Sequence, residues 1–205
     1  MTTVVVTGAT GDAGRAVCAG LIAAGHTVVA VGSDAGRLES VAATLRMVCD
    51  LTDADATRGL AARVRDEAGP VDGLVHLVGG WRGGHEPDDW DWLEPRILTS
   101  LRLATLAFHD DLTASPVGRL VTVGSTSAAK PSWGGANYAT LKVAADAWVA
   151  AVASGWRKAG TAGAVTLVVT SLGDGGTPVE KLAARVTTLW DESATALNGA
   201  RLDLT

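Results

Sequence analysis

A phenol and an ammonium four residues apart can carry acid–base chemistry, and Tyr138-Ala139-Thr140-Leu141-Lys142 supplies such a pair in a helix-forming segment. That spacing sets both side chains on one helix face. A free tyrosine, with a pKa of about 10, is a poor proton carrier at neutral pH, but a nearby cation favours the phenolate and brings it toward use. Ser125 lies just after a β-branched run, on the expected turn, where its hydroxyl can donate to a substrate oxygen. Each has a plainer use alone: Tyr138 as an amphipathic core residue, Lys142 as a solvated charge, Ser125 as a turn cap. Their joint presence beside a second motif argues for chemistry.

That second motif is Val4-Val5-Val6-Thr7-Gly8-Ala9-Thr10-Gly11-Asp12-Ala13-Gly14, a strand, a glycine turn and a helix start in that order. Glycine lets the backbone turn tightly and approach a pyrophosphate, whose charge is favoured by the free N–H groups at the helix N-terminus. Gly8, Thr10, Gly11, Asp12 and Gly14 are therefore candidate dinucleotide contacts. At the end of the second strand an acid would accept from the 2′-hydroxyl of NAD. This chain has Val31-Gly32-Ser33-Asp34 there, with Arg37 one helical turn on. Ser33 leaves room for a further phosphate and Arg37 offers it a charge, so the expectation is NADP(H) favoured over NAD(H). Asp50, followed by Leu51, is placed to accept from an adenine amino group or to cap the next helix.

The elements that must position these residues alternate along the chain. Strands are expected at residues 3–7, 27–31, 46–49, 73–78, 119–123, 164–170 and 200–204, with helices at 12–24, 35–45, 53–68, 89–112, 136–159 and 179–195. The alternation predicts an α/β fold, a Rossmann-type doubly wound, seven-stranded parallel sheet flanked by helices on both faces. No linker or repeat divides the chain, so residues 1–205 read as a single dinucleotide-binding domain. Ligands of such sheets bind beyond the carboxyl ends of the strands, where Gly79 and residues 171–178 also fall. The helices at 97–112 and 136–159 are apolar on more than one face and need a cover beyond their own sheet, which predicts a homodimer or homotetramer.

Composition removes other classes. The chain has 205 residues, a hydrophobic fraction of 47% and a formal net charge of −5. Its 17 Lys and Arg are scattered, giving no basic stripe for nucleic acid. Every apolar run is interrupted short of the roughly 18 residues needed to cross a bilayer. The N-terminus has no basic segment ahead of its apolar run, reading as a first strand rather than a secretory leader and placing the chain in the cytoplasm. Cys18 and Cys49 form neither a disulfide framework nor a metal spacing with the four histidines, so no metal is expected.

With these motifs in order, the chain resembles the short-chain dehydrogenases/reductases over nearly its whole length. The resemblance runs from the glycine turn through Asp50-Leu51, Gly79, Ser125, Tyr138-x-x-x-Lys142 and Thr177-Pro178 to the final strand. It implies that Tyr138 moves the proton on the substrate oxygen, that Lys142 binds the nicotinamide ribose and tunes Tyr138, that Ser125 orients the substrate, and that Gly79 and Thr177 join the cofactor site. The implied reaction is hydride transfer between a nicotinamide and a small carbonyl or carbonyl-like group, with a catalytically silent NADP(H)-binding sensor or scaffold as the alternative. Four departures stand out. The middle glycine is Gly11, where the commoner spacing would put it at Asp12. His76-Leu77-Val78-Gly79 replaces Asn-Asn-Ala-Gly, Ser100 replaces a helix asparagine of the family's proton relay, and the Pro-Gly expected near Ser171-Leu172 is missing. Locally, Gly79-Gly80-Trp81-Arg82-Gly83-Gly84 is similar to a loop of the dihydropteridine reductases within that family. Trp81 and Trp133 are the candidate substrate-lining residues; Trp81 either stacks on a flat substrate or anchors its loop against Trp90 or Trp92.

Overall fold

The computed structural model describes residues 2–205 as a seven-stranded, all-parallel sheet in the order β3-β2-β1-β4-β5-β6-β7. The strands are β1 (Thr3–Thr7), β2 (Thr27–Gly32), β3 (Leu45–Val48), β4 (Gly73–His76), β5 (Arg119–Ser125), β6 (Gly163–Val169) and β7 (Ala200–Asp203). Helices α1 (Asp12–Ala23), α2 (Ala35–Glu39), α3 (Ala54–Ala68), α4 (Pro87–Glu94), α5 (Ser100–Ala114), α6 (Ala136–Trp156), α7 (Val179–Thr187) and α8 (Ala194–Leu197) connect them. The order reverses between β1 and β4, which pair from Val4 opposite Gly73 to Thr7 opposite His76. A crevice therefore opens past Thr7 and His76.

Period-two alternation along the strands builds two cores. Val4 and Val6 face α1 and α7 with Val17, Leu21, Leu182 and Val186, while Val5 faces α3, α5 and α6 with Leu60, Phe108, Val149 and Trp156. All of these side chains are buried. Because both faces are covered, the central strands read as continuous apolar runs. Among the described residues, no helix is long and apolar enough to cross a membrane.

Three helices differ from the expected ones, two because a distant partner wins and one because of a proline within it. The helix expected over residues 35–45 stops at Glu39: Thr44 bonds back to β2, its amide to the Val28 carbonyl (2.9 Å) and its hydroxyl to the Val28 amide (3.1 Å), so Leu45 enters β3. The helix expected over 89–112 starts earlier, at Pro87, and is interrupted by a π-helical turn at Pro95–Thr99, where proline brings no N–H to the ladder. The helix expected over 179–195 breaks after α7 because the buried Arg119 guanidinium grips the carbonyls of Leu189 (3.2 Å) and Glu192 (2.6 Å), and Ser193 then caps α8.

Candidate functional site

Gly8 opens the turn after β1 with φ +70°, and a Cβ there would lie 2.7 Å from the Leu77 carbonyl carbon. Gly14, inside α1, packs so closely that a Cβ would sit 2.3 Å from the Gly8 oxygen. Gly8 and Gly14 are thus demanded by the fold. Gly11 is not: it is the N-cap of α1 in extended backbone (φ −78°, ψ 166°), and the nearest atom to an added Cβ would be 3.6 Å away. Asp12 is exposed in the first turn of α1, and Thr10 is half-buried.

Arg37 reaches across from α2 to the Thr10 carbonyl (3.3 Å), so its guanidinium lies over the glycine turn. Ser33 is exposed beside it. Asp34, the nearest acid, is turned inward to cap α2, accepting from the Arg37 amide at 2.8 Å. A side chain at Gly32 would press on Thr10, with 2.9 Å from Cβ to Thr10 Cγ2. Asp50 accepts from the Thr52 amide (2.9 Å) and hydroxyl (2.7 Å) through one oxygen, which holds its carboxyl below the usual range. The cap of α3 is Asp53 instead, and Leu51 is buried in the core.

Past the reversal of strand order lies a cavity of about 490 Å³ lined by Ala13, His76, Gly79, Ile97, Tyr138 and Lys142, among others. The start of α1 and the Tyr138–Lys142 pair on α6 therefore share one hollow. Lys142 donates to the Val123 carbonyl at the end of β5 (2.9 Å), with its Nζ 5.7 Å from the centre of the Tyr138 ring. Burial lowers the Lys142 pKa to about 8, against the pull of Asp146 one helical turn further on. Burial likewise raises the Tyr138 pKa, with the Ser125 hydroxyl beside it acting the other way. The phenol is thus shifted up, opposite to the lowering expected from Lys142, and in the chain alone Tyr138 is a neutral phenol at pH 7.

Ser125, Trp81 and Trp133 border this cavity or its neighbours. Ser125 is the last residue of β5 rather than part of a turn, is 1% exposed, and accepts from the Ser127 amide (3.1 Å). It lines an adjoining hollow with Lys130, Thr170 and Arg201, not the main cavity. Thr177 is buried with its hydroxyl donating to the Leu204 carbonyl (3.0 Å). Trp81 is 71% exposed at the cavity mouth, and Trp92 rather than Trp81 packs beneath Gly80. Trp133 is stacked on His85 (4.5 Å between ring centres) over a neighbouring apolar hollow, and the Gly84 amide bonds the Gly134 carbonyl (2.7 Å), tying the two tryptophan loops together.

The site also holds residues that the motifs did not single out for a role. His76, 4% exposed, has Thr7 Oγ1 2.9 Å from Nδ1 and Ser100 Oγ 3.3 Å from Nε2. Burial, and then the Lys142 cation, push its pKa from 6.5 to about 3. The unfolded chain therefore binds a proton at this residue that the folded chain refuses. The stability this contributes is complete above pH 6.5 and is lost as pH falls toward 3, with a slope of about 1.4 kcal/mol per pH unit. Denaturant midpoints measured from pH 7 to 4 should fall accordingly, and His76→Phe should remove that share of the slope; an unchanged slope would mean His76 is not the titrating group. Asp146, which faces the same cavity and is bridged to Arg201, was likewise hidden, since only the fold carries β7 to α6.

The short chain dehydrogenase family model matches residues 2–185. The 2,3-dihydro-2,3-dihydroxybenzoate dehydrogenase of Bacillus subtilis is 31% identical over 152 residues, 68% of this chain and 58% of that protein. The acetoacetyl-CoA reductase of Cupriavidus necator is 29% identical over 161 residues, 72% of this chain and 65% of the relative. A Pseudocercospora fijiensis short chain dehydrogenase is 30% identical, the match spanning half of its length. The crystal structure of gox2181 superposes with a TM-score of 0.86 at 18% identity, covering 99% of this chain and 93% of that one, which speaks for the fold. A family match over most of the sequence, carried on the expected seven-stranded parallel sheet, places the chain in the short-chain dehydrogenase family.

Proposed function

We propose that this chain is a nicotinamide-dependent oxidoreductase that reduces a small carbonyl or carbonyl-like (imine or quinonoid) substrate. The observation that carries the reading is the shared cavity, in which Ala13 from the helix behind the glycine turn and Tyr138 with Lys142 face one hollow. The open space at Gly11, where the fold itself would accept a side chain, fits a pyrophosphate lying on the N-terminus of α1. The dinucleotide, when bound, supplies the hydride. Gly8, Thr10, Gly11, Asp12 and Gly14 would hold its pyrophosphate, Asp50 with Leu51 its adenine end, and Gly79 and Lys142 its nicotinamide end. Thr177 supports this site only through the loop it ties to β7.

A neutral Tyr138 hydroxyl suits donation of a proton to an oxygen that is being reduced. Lys142, fixed by the Val123 carbonyl, would keep its charge beside that hydroxyl up to about pH 8 and lose it above. Reductive kcat/KM is therefore expected to decline as pH rises through about 8. Ser125 would steady Tyr138 and the substrate oxygen from behind, and Trp81, with Trp133 beyond it, would border the substrate.

NADPH is the favoured cofactor, on the exposed Ser33, the Arg37 guanidinium over Thr10, and an Asp34 already occupied as a cap. Quenching of tryptophan emission should give an NADPH Kd about tenfold or more below that of NADH, as one charge-assisted phosphate contact would. Oxidation of NADPH with a panel of ketones, quinones and imines tests the activity. Tight NADPH binding without turnover on any of them would favour the silent sensor, a reading supported by the replacement of the helix asparagine by Ser100. Leu106 on α5 and Val143 on α6, both about half exposed, support pairing of copies through these helices.

A further inference from the structure

Two departures from the family pattern, His76 and Ser100, touch each other. Their hydrogen bonds have one possible direction. Ser100 Oγ also lies 2.8 Å from the Arg96 carbonyl, which can only accept, so the hydroxyl proton goes there. Ser100 must then accept from His76, placing the imidazole proton on Nε2, and Nδ1 is left to accept from the Thr7 hydroxyl. The chain Thr7 → His76 → Ser100 → Arg96 uses each proton once, and the ring is a neutral tautomer with no freedom to turn.

Each end of this chain adjoins a part of the site, the glycine turn at one end and the cavity wall at the other. Thr7 immediately precedes Gly8, and it is β1 that delivers the glycine turn. Ser100 follows the π-helical turn, its amide bonding the Pro95 carbonyl five residues back, and Ile97 and Leu101 on either side of it line the cavity with His76. A serine that bonds back to the carbonyl four residues earlier bends a helix, and here the bend is clamped to the end of β4. The chain stops at a carbonyl, which cannot pass a proton onward, so it holds groups in place and does not conduct.

We propose that His76 and Ser100 form a positioning pair that clamps the π-helical turn at Pro95–Thr99 to the ends of β1 and β4, setting both the wall of the substrate cavity and the seat of the glycine turn. The proposal rests on the oxidoreductase reading, although its cofactor arm can be measured without turnover.

The test compares His76→Phe, His76→Gln and Ser100→Ala in the full chain. Phenylalanine keeps a flat ring but takes away the acceptor of the Thr7 hydroxyl and the donor to Ser100 Oγ. Losing a buried hydrogen-bonded partner should raise both the NADPH Kd and the substrate KM by about tenfold, with kcat at saturation within about threefold of wild type. The glutamine amide offers one acceptor and one donor, as the fixed tautomer does, and should recover most of both losses. Ser100→Ala breaks only the helix arm and should raise KM while leaving the Kd for NADPH unchanged; it serves also if the phenylalanine variant does not fold. Adding Ser100→Ala to His76→Phe should raise KM no further.

The proposal is overturned if His76→Phe binds cofactor and substrate as wild type does, if glutamine rescues nothing, or if kcat collapses while both affinities hold. The last result would make His76 a participant in the chemistry. A wild-type chain that binds NADPH but turns over no substrate would defeat the oxidoreductase reading, and the Kd of the three variants would still decide the cofactor arm.

Discussion

Tyr138→Phe is expected to lower kcat by about 10²- to 10⁴-fold, the usual worth of a positioned acid–base group, while the NADPH Kd stays within about twofold. The change removes one oxygen and keeps the ring that packs with Leu93, Ile97 and Leu141, so the fold has no reason to respond. Nor can another phenol substitute, because Tyr138 is the only tyrosine in the chain. Steady-state rates beside a fluorescence titration separate the two quantities. Turnover near the wild-type rate would remove Tyr138 from the mechanism and leave the shared cavity as a binding site only. The same uniqueness lets a tyrosinate absorbance titration report this group alone, with a midpoint above 10 expected because burial opposes the phenolate.

The second large effect separates the glycines. Gly14→Ala would push a Cβ against backbone, 2.3 Å from the Gly8 oxygen and 2.6 Å from the Ala9 Cα, where no flexible side chain can yield. Overpacking of that kind costs about 2–3 kcal/mol, which at this chain length lowers Tm by roughly 4–12 °C. Gly11→Val meets nothing closer than ordinary contact and costs the fold at most about 1 kcal/mol as a poorer N-cap. Its branched side chain would occupy the space assigned to the pyrophosphate, so the NADPH Kd should rise by about 100-fold or more. Thermal melts and binding titrations on the two variants are expected to give opposite patterns. A Gly11→Val chain that binds NADPH normally would put the pyrophosphate elsewhere.

Much of the arrangement was legible in the residues because it depends on local pattern. The alternation of short apolar runs with segments of helical length predicted all seven strands, and the order strand, glycine turn, helix located the start of α1. The four-residue spacing put Tyr138 and Lys142 on one face of α6. What escaped depended on partners far along the chain. Nothing near Glu39 announces that Thr44 will pair with Val28, and nothing near Leu189 announces a guanidinium arriving from Arg119. The direction of the Tyr138 shift needed the burial of the ring, which spacing does not reveal. The resemblance implies that Thr177 joins the cofactor site, and the bond of its hydroxyl to Leu204 near the end of the chain shows only in the fold. His76 and Ser100 were visible singly as departures from the family pattern, and only the reversal of strand order beside β4 brings them together as a pair.

A crystal structure of the chain with NADPH bound is the decisive measurement. The nicotinamide ring is expected within the cavity bordered by Ile97, Tyr138 and Lys142, with the Tyr138 hydroxyl open toward the carbon that gives up hydride and the pyrophosphate lying against Gly11. A nicotinamide bound outside that cavity, or a Tyr138 hydroxyl turned away from the ring, would contradict the oxidoreductase reading.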